Sequence, residues 1–590
     1  MPTAETSRRW AWPALALVLA VGLGLRLWGV KQGLPYAYNA DEADHFLPRA
    51  VAMFAHGLNP HYFANPPAFT YLLHFLLAVF YGGRAGVQQA FALHPTEVYT
   101  LARVAAGVLG VGALWLLYLT GARLFGRGVG LLAAAIEAVA FLPVFYAHLA
   151  LNDVPTLAPL TLSLLGTAGV LRRGRTRDYA LAGVGLGLAC ATKYTAGIAL
   201  VPFAAAVAAR YLEGESGGGR RAVRGIALAA ATALLAFVIA NPYAVLDFSS
   251  FHRDLVHQST LSSEAQGKLG APRHGGLVYY LWSLTWGLGW VPALAALAGA
   301  VTVWRSRKAL GWILVPAPLL FLAFMGLQGR YFGRWLLPIF PIVCLLAAYF
   351  TVRAADALAR LIVRKRRGRP RSSSHLSGLA VPPSVLARRS RAPARWRAAL
   401  TASFAAVVLA QGLVYSVHSG LVLSRADTRA QTRAWMVAHI PPDTPIVVEP
   451  VAPDAWGSRW NKYASLKLRI SSSGALVPDS LAFVSIEDYE RTLSPALIGY
   501  YEQNGYCFVV TGTTQSGRAF ADPRAAPQAI AYYRALAAAG EILYQASPYA
   551  RGAGPVPFGF DWSFDYYPLA YHRPGPTMTV YRLRGGRCGR

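Results

Sequence analysis

Apolar runs of about twenty residues recur through the first 420 positions, separated by short polar segments. A run of that length is what a helix needs to cross the hydrocarbon layer of a bilayer. The pattern predicts about eleven spans, near 11–30, 98–119, 128–149, 154–171, 179–197, 198–212, 224–244, 277–303, 309–327, 334–352 and 398–420. One apolar stretch breaks the sequence of spans. Residues 66–81 open with two prolines, are short and contain His74, which predicts an amphipathic helix lying in the membrane interface. Past residue 420 the pattern changes. Short alternating or β-rich pieces (IVVEP at 446–450, LAFVSIEDY at 481–489, CFVVTG at 507–512, MTVYRL at 578–583) accompany a helical pattern over 524–540. The expected fold class is therefore mostly α. It is a polytopic membrane domain over 1–420, with interfacial helices in a first loop at 31–97, followed by a small α/β domain over 421–590.

Charge then orients the spans. The chain has 590 residues, a formal net charge of +29 and only 14% charged residues. Lys and Arg gather at Arg8–Arg9, Arg123/Arg127, Arg172–Arg177, Arg210–Arg224, Arg305–Lys308 and in the segment 353–397. That last segment carries thirteen basic residues against one acid, Asp356. All six clusters share one side if the N-terminus is cytoplasmic, as the positive-inside rule requires. The loop 31–97, the neighbourhoods of Asn152–Asp153 and Lys193, the loops 245–276 and 328–334, and the domain 421–590 are then expected outside. The segment 353–397 is expected to be a disordered cytoplasmic loop able to touch anionic lipid. The same distribution argues against nucleic acid as a partner, since no basic groove with interleaved aromatics is present. A cell (cytoplasmic or inner) membrane is the expected location. The long stretch Trp10–Val30, with no small-x-small cleavage site after it, reads as a retained first span. Cys190 and Cys344 lie in apolar runs, while Cys507 and Cys588 fall in the last domain, where the sequence leaves their pairing open.

Polar residues next to the spans carry the candidate chemistry. Asp41, Glu42 and Asp44 follow the first span, with His45 beside them. A carboxylate at the rim of a low-dielectric cavity can take a proton from a hydroxyl, but the same acids suit the N-terminus of a helix over 42–56. On local grounds the two readings stand level. Asn152–Asp153 precede Val-Pro, where capping of the next helix is the simpler reading. Lys193 sits in an apolar run and needs a carboxylate or a phosphate, or else reaches to the interface. Arg330 and Arg334, with Tyr331 between them, are four apart, on one face if helical, and oppose the positive-inside trend. Arginine forks at such a place suit phosphate oxygens. His252, His257, Glu264, Lys268, Arg273 and His274 form a polar loop able to cover a substrate. FGFDWSFDYYPLAYHRPGP near the C-terminus is rich in aromatics and acids.

Taken in order, these elements resemble the C-type superfamily of integral-membrane glycosyltransferases. The resemblance is to its protein O-mannosyltransferase and aminoarabinose-transferase group, in the bacterial branch that uses a phospholipid carrier. It rests on NADEADHF, NPHYFANPPAFTYLL, LARVAAGVLG, HLALNDVPT, GLGLACATKYTAG and RYFGRWLLPIFP, over about 30–350. It implies transfer of a sugar from a polyprenyl-phosphate donor to an external hydroxyl, with inversion. Asp41 would be the base with Glu42 beside it, and Asp153 would orient acceptor or base. Lys193, Arg330 and Arg334 would hold the donor phosphate, and Asp44, His45, Asn152 and Tyr331 would line the substrate site. Several relatives carry a basic residue around the interfacial helix, where this chain has Asn65-Pro66-Pro67. Some relatives bind a divalent metal; no ligand cluster is evident here, so neither metal nor other cofactor is expected. Protein, glycolipid and polymer all remain open as acceptor. Two other classes compete: a flippase of lipid-linked saccharides, and a non-catalytic assembly factor anchored in the membrane.

Overall fold

The computed structural model describes residues 4–212, 218–263, 269–270, 275–367, 383–463, 468–470, 476–478, 489–559 and 568–589. Eight helices among them are long and apolar enough to cross a bilayer. The count is nine if the pair Arg127–Val139 and Phe141–His148, bent by 59°, is one broken span. Nine of the eleven expected spans correspond to these helices. The other two, near 154–171 and 179–197, form Leu157–Arg173 and Thr176–Thr192, of 17 residues each. At 1.5 Å per residue such a helix is about 26 Å long, short of a hydrocarbon layer of about 30 Å. These two helices are central to the bundle. The backbone of Thr176–Thr192 comes so close to its neighbours that a Cβ on Gly185 would lie 2.3 Å from the Ser163 nitrogen. One on Gly187 would lie 2.1 Å from the Ala233 carbonyl oxygen. Glycines on two sides of one helix thus let two others pack against it, as small residues do in membrane bundles.

The stretch after the first helix (Ala4–Leu27) folds into short helices, Ala40–Asp44, Leu47–His56, Ala68–Tyr81 and Arg84–Leu93. The expected single helix over 42–56 is broken at His45–Phe46. The apolar stretch 66–81 forms a helix, Ala68–Tyr81, that is apolar on both faces rather than amphipathic. It buries Phe69, Leu73 and Leu77, and leaves Phe75, Val79 and Phe80 exposed. The basic segment 353–397 departs from expectation. It is helical at both ends, within Phe340–Arg367 and Pro383–Leu423, and only its middle, 368–382, lies outside the described residues. Ala, Leu and Arg are strong helix formers, and each end continues an apolar helix already nucleated. Asp356, its one acid, pairs with Arg397 across the two helices.

The last part of the chain is an α/β layer structure. Its strands are β1 (Pro445–Val448), β2 (Asn461–Tyr463), β3 (Leu468–Ile470), β4 (Leu476–Pro478), β5 (Phe508–Gly512), β6 (Gly540–Ala546) and β7 (Met578–Leu583). Five form a sheet in the order β2-β1-β5-β7-β6, with β1 parallel to β2 and β5, and β7 antiparallel to β5 and β6; β3 and β4 form a separate pair. Alternation sorts the side chains. Ile446, Val448 and Val510 pack with Met436 and Trp456 on one face, while Val447 and Val509 pack with Leu497 and Tyr532 on the other. A sheet buried on both faces reads as a continuous apolar run, which is why IVV and FVV stand out in the sequence. Residues 481–488 of the expected strand LAFVSIEDY lie outside the described residues, as do 560–567 of the aromatic stretch. Cys507 and Cys588 form a disulfide, tying the start of β5 to the chain's end.

The two parts are joined by more than the connecting helix. Tyr36 and Tyr38, just ahead of Asp41, pack into the core that contains Trp456. The guanidinium of Arg429 lies 3.6 Å from the Tyr38 ring centre, and that of Arg433 lies 5.2 Å from the Tyr36 ring. Leu269 is buried in the core on the other side of the sheet.

Candidate active site

Asn39 starts the site. Its side-chain oxygen accepts the Glu42 N–H at 3.1 Å and so caps the short helix Ala40–Asp44. Successive residues of a helix point about 100° apart, so Asp41 and Glu42 face different surroundings. Glu42 turns inward. Its two oxygens accept from Nε and Nη2 of Arg103 at 2.7 and 2.8 Å, and the Ala150 N–H adds a third bond at 2.8 Å. Arg103 completes its fork on the carbonyls of Val30 and Gln32. Both side chains of this pair are fully buried. Glu42 thereby ties the loop after the first helix to the segment before Asn152. The expected place for Glu42 beside Asp41 in the chemistry gives way to this buried fork, which leaves none of its carboxylate in the cavity.

Asp41 turns the other way, into a cavity of about 560 Å³. Arg334 donates to Asp41 Oδ2 at 2.5 Å, and its Nε lies 3.7 Å from Asp153 Oδ2. Lys193 is ion-paired with the other oxygen of Asp153. The result is an alternating chain, Lys193–Asp153–Arg334–Asp41, with His45 Nε2 a further 3.8 Å from Asp41 Oδ1. Asp41 is the open member: its side chain is 38% exposed, against 4% for Asp153 and 10% for Arg334. Burial, with Arg49 and Arg334 nearby, pushes the His45 imidazole below its usual value despite Asp41. His45 is also stacked on Tyr62, ring centres 4.8 Å apart.

Local backbone breaks aim these groups. Lys193 is an extended residue between the helix Thr176–Thr192 and the turn that follows. Asn152 donates to the Thr192 carbonyl at 2.7 Å, holding the Asp153 and Lys193 segments together. Asp153 caps no helix by its side chain. The next helix begins at Leu157, and Thr156 donates to the Asn152 carbonyl instead. The expected helical face shared by Arg330 and Arg334 is absent. Arg330 lies in chain without regular secondary structure, ahead of the extended Phe332 and the 3-10 turn Gly333–Ile339, yet both arginines reach the cavity. One wall is the helix Phe248–Ser263, with His257, Gln258 and Ser262. Asp254 on this helix and Asp247 just before it hold the opposite loop: Asp254 accepts the Phe63 N–H and Asp247 accepts from Asn59, both at 2.8 Å.

Of the residues expected here, Asp41, His45, Asn152, Asp153, Lys193, Arg330 and Arg334 share the one cavity. Glu42, Asp44 and Tyr331 do not line it. Asp44 is exposed on the outer side of its short helix. Tyr331 is buried against Tyr279 and Tyr280, with ring centres 4.8 and 6.4 Å away. Of the residues noted in the loop 247–276, His257 lines the cavity, whereas Glu264, Lys268, Arg273 and His274 lie outside the described residues. Asn65 and Pro66 line it without supplying charge. Sequence reasoning passed over Arg103, Tyr62, Tyr194 and Asp254. An arginine inside LARVAAGVLG demanded a buried acid, and that signal was available. The other three gain their meaning only from the loops they pin. Among the described residues, no group of three His, Cys, Asp or Glu side chains is placed to hold a metal ion.

Residues 64–245 match the family model described as dolichyl-phosphate-mannose-protein mannosyltransferase. No curated protein sequence matches the chain. Among solved structures, the oligosaccharyltransferase of Archaeoglobus fulgidus in its apo form is similar at 14% identity. It covers 91% of this chain and 73% of its own, with a TM-score of 0.52. The same enzyme with an inhibitory peptide and a dolichol-phosphate aligns at 13% identity, 92% and 74% coverage and a TM-score of 0.51. ArnT from Cupriavidus metallidurans bound to undecaprenyl phosphate aligns at 14% identity over 97% of this chain and 98% of its own, with a TM-score of 0.46. At such identities the likeness is one of fold, and the last value is too low to carry argument. The family match and the folds agree with the resemblance drawn from the motifs.

Proposed function

We propose that this protein is a membrane glycosyltransferase that moves a sugar from a polyprenyl-phosphate donor to an acceptor hydroxyl outside the cytoplasm, with inversion. One observation carries the reading. A single cavity gathers an open carboxylate, Asp41, and three cations, Lys193, Arg330 and Arg334, from segments up to 293 residues apart. An inverting transfer needs those two things: a base for the incoming hydroxyl, and positive charge where the phosphate leaves. The Asp41 carboxylate takes the hydroxyl proton as the oxygen attacks the anomeric carbon. The bond to the phosphate oxygen breaks on the opposite face, and the cations take up the released charge. The donor also gives the ion-pair chain a purpose. A phosphate drawing Arg334 towards itself frees an Asp41 oxygen to accept from the incoming hydroxyl. Asp153 holds Lys193 and Arg334 in place, and His45 and Asn152 border the acceptor path. With three cations present, the reading assigns no step to a divalent metal, and transfer is expected to survive chelation.

The match over residues 64–245 and the oligosaccharyltransferase-like fold support this class of reaction. The basic clusters on one side of the expected spans support a cytoplasmic N-terminus. The disulfide Cys507–Cys588 supports an oxidising, external location for the last domain. The test is Asp41→Asn in purified protein, given a panel of polyprenyl-phosphate sugars and assayed for sugar loss from the carrier. Transfer is expected to vanish while the variant inserts and folds as before. Near-normal turnover would sink the assignment. Movement of the lipid-linked sugar across a bilayer without bond cleavage would favour a flippase. Function lost only on removal of 421–590 would favour an assembly factor.

A further inference from the structure

A second cavity, of about 420 Å³, lies in the last domain and has a different chemistry. It opens beside the helix Thr513–Ala521, which follows directly on β5. Hydroxyls from Thr514 and Ser516 border it on the helix, and Thr577, just before β7, faces them. Aromatic rings supply the rest. Tyr549 and Tyr571 meet edge to face at 5.1 Å, and Phe520 and Phe558 add two more rings. Pro555, Pro557 and Pro576 stiffen the rim.

Charge decides what this cavity suits. Among the described residues, Arg429 is its one charged lining residue, and Asp427 already neutralises it through a fork of 2.9 and 2.8 Å. The described lining therefore offers no net charge to an anion. It offers hydroxyl donors and acceptors beside aromatic rings, and its volume falls in the usual range for small-molecule sites. A neutral polyhydroxy molecule meets both parts of such a lining: its hydroxyls pair with Thr514, Ser516 and Thr577, and its C–H faces cover the rings. A phosphate or a lipid tail meets one at most. Arg429 also lies over Tyr38, three residues before Asp41. Three residues of chain span at most about 11 Å. The cavity's wall and the candidate base are thus joined through one stacked pair and one short segment.

We propose that this cavity binds a neutral saccharide, the sugar portion of the acceptor, and holds it while a hydroxyl reaches Asp41. Saccharide binding stands on the cavity itself; its assignment to the acceptor rests on the transferase reading. The experiment is saturation-transfer-difference NMR on the full chain in nanodiscs, with mannotriose, maltotriose and arabinotriose as probes and inorganic phosphate as a competitor. At least one trisaccharide is expected to receive saturation, undiminished by phosphate. Phe520→Ala should weaken it by about tenfold, the worth of one aromatic contact. Thr514→Trp, which fills the cavity, should abolish it with the thermal midpoint unchanged. Asp41→Asn should leave binding intact, which separates this site from the membrane-side cavity. Silence from every trisaccharide, displacement by phosphate, or a signal that survives both cavity variants would overturn the proposal. So would a signal lost in Asp41→Asn but kept in Thr514→Trp, because the sugar would then sit in the other cavity.

Discussion

Asp41 and Glu42 are neighbours in sequence and opposites in structure. Glu42 and its partner Arg103 are fully buried, and their hydrogen bonds are spent on each other and on nearby backbone. Asp41 and Arg334 border a cavity, and Asp41 keeps over a third of its side chain open. A fully buried pair can hold a fold together, but it presents no lone pair to a substrate. A pair at a cavity edge can exchange partners. The difference teaches that an acidic dipeptide is not one functional unit: the roughly 100° between successive helical residues separates scaffold from candidate chemistry.

The contrast can be broken by exchanging the two phenotypes. Asp41→Asn should lower transfer by roughly 10²- to 10⁴-fold, the usual worth of a general base. The thermal midpoint should stay near wild type, as measured by unfolding of the detergent-purified protein. Glu42→Ala should do the reverse. Stranding Arg103 without its carboxylate costs about 3–5 kcal/mol, seen as lost folded yield and a lower midpoint. Any folded fraction should still turn over. If Glu42→Ala is stable but inactive, the scaffold assignment fails.

Arg334→Gln sharpens the open side. It removes a cation from the cavity, and a fall of about 10²-fold in transfer is expected from the loss of one charge-stabilising donor. It also leaves Asp41 without its partner. Raising the donor concentration should recover only part of the rate if Arg334 acts on the leaving phosphate.

The smallest effect concerns a third acid, Glu449, at the end of β1. It is buried like Glu42, but it accepts from the Tyr533 hydroxyl and the Gly512 N–H rather than from a cation. Burial pushes its carboxyl up to about 8, with those two bonds opposing and Glu490 adding. The folded pKa is raised, so the folded form keeps a proton that the unfolded chain releases above about 4.5. The stabilisation is complete below that value and declines as pH rises to about 8. Glu449→Gln should flatten the dependence of the last domain's unfolding on pH between 5 and 8, measured by chemical denaturation. An unchanged slope would show that Glu449 does not keep its proton in the folded domain.

Much was legible without coordinates. The apolar runs, the basic clusters between them and the β-rich end marked a many-span bundle with an α/β domain, because hydrophobic period and length follow directly from burial in lipid or in a sheet. Lys193 was legible as a charge in an apolar run, Asp41, Asp153 and Arg334 as charges beside the spans, and so was the short helix at 68–81. Other features were not. The break at His45–Phe46 and the irregular run at Arg330–Phe332 depart from the local pattern, since tertiary contacts outweigh propensity, whereas the helices that enter the basic segment 353–397 follow a helix propensity that its charge count had hidden. The sequence by itself determined that charged residues stand at the ends of its spans, because transfer into lipid forbids them elsewhere without partners. Which charge meets which was decided by tertiary structure alone. Glu42 found Arg103, and Asp41 found Arg334 across 293 residues. Pairing depends on the direction in which each side chain leaves its helix, and that direction is fixed only when the helices are packed.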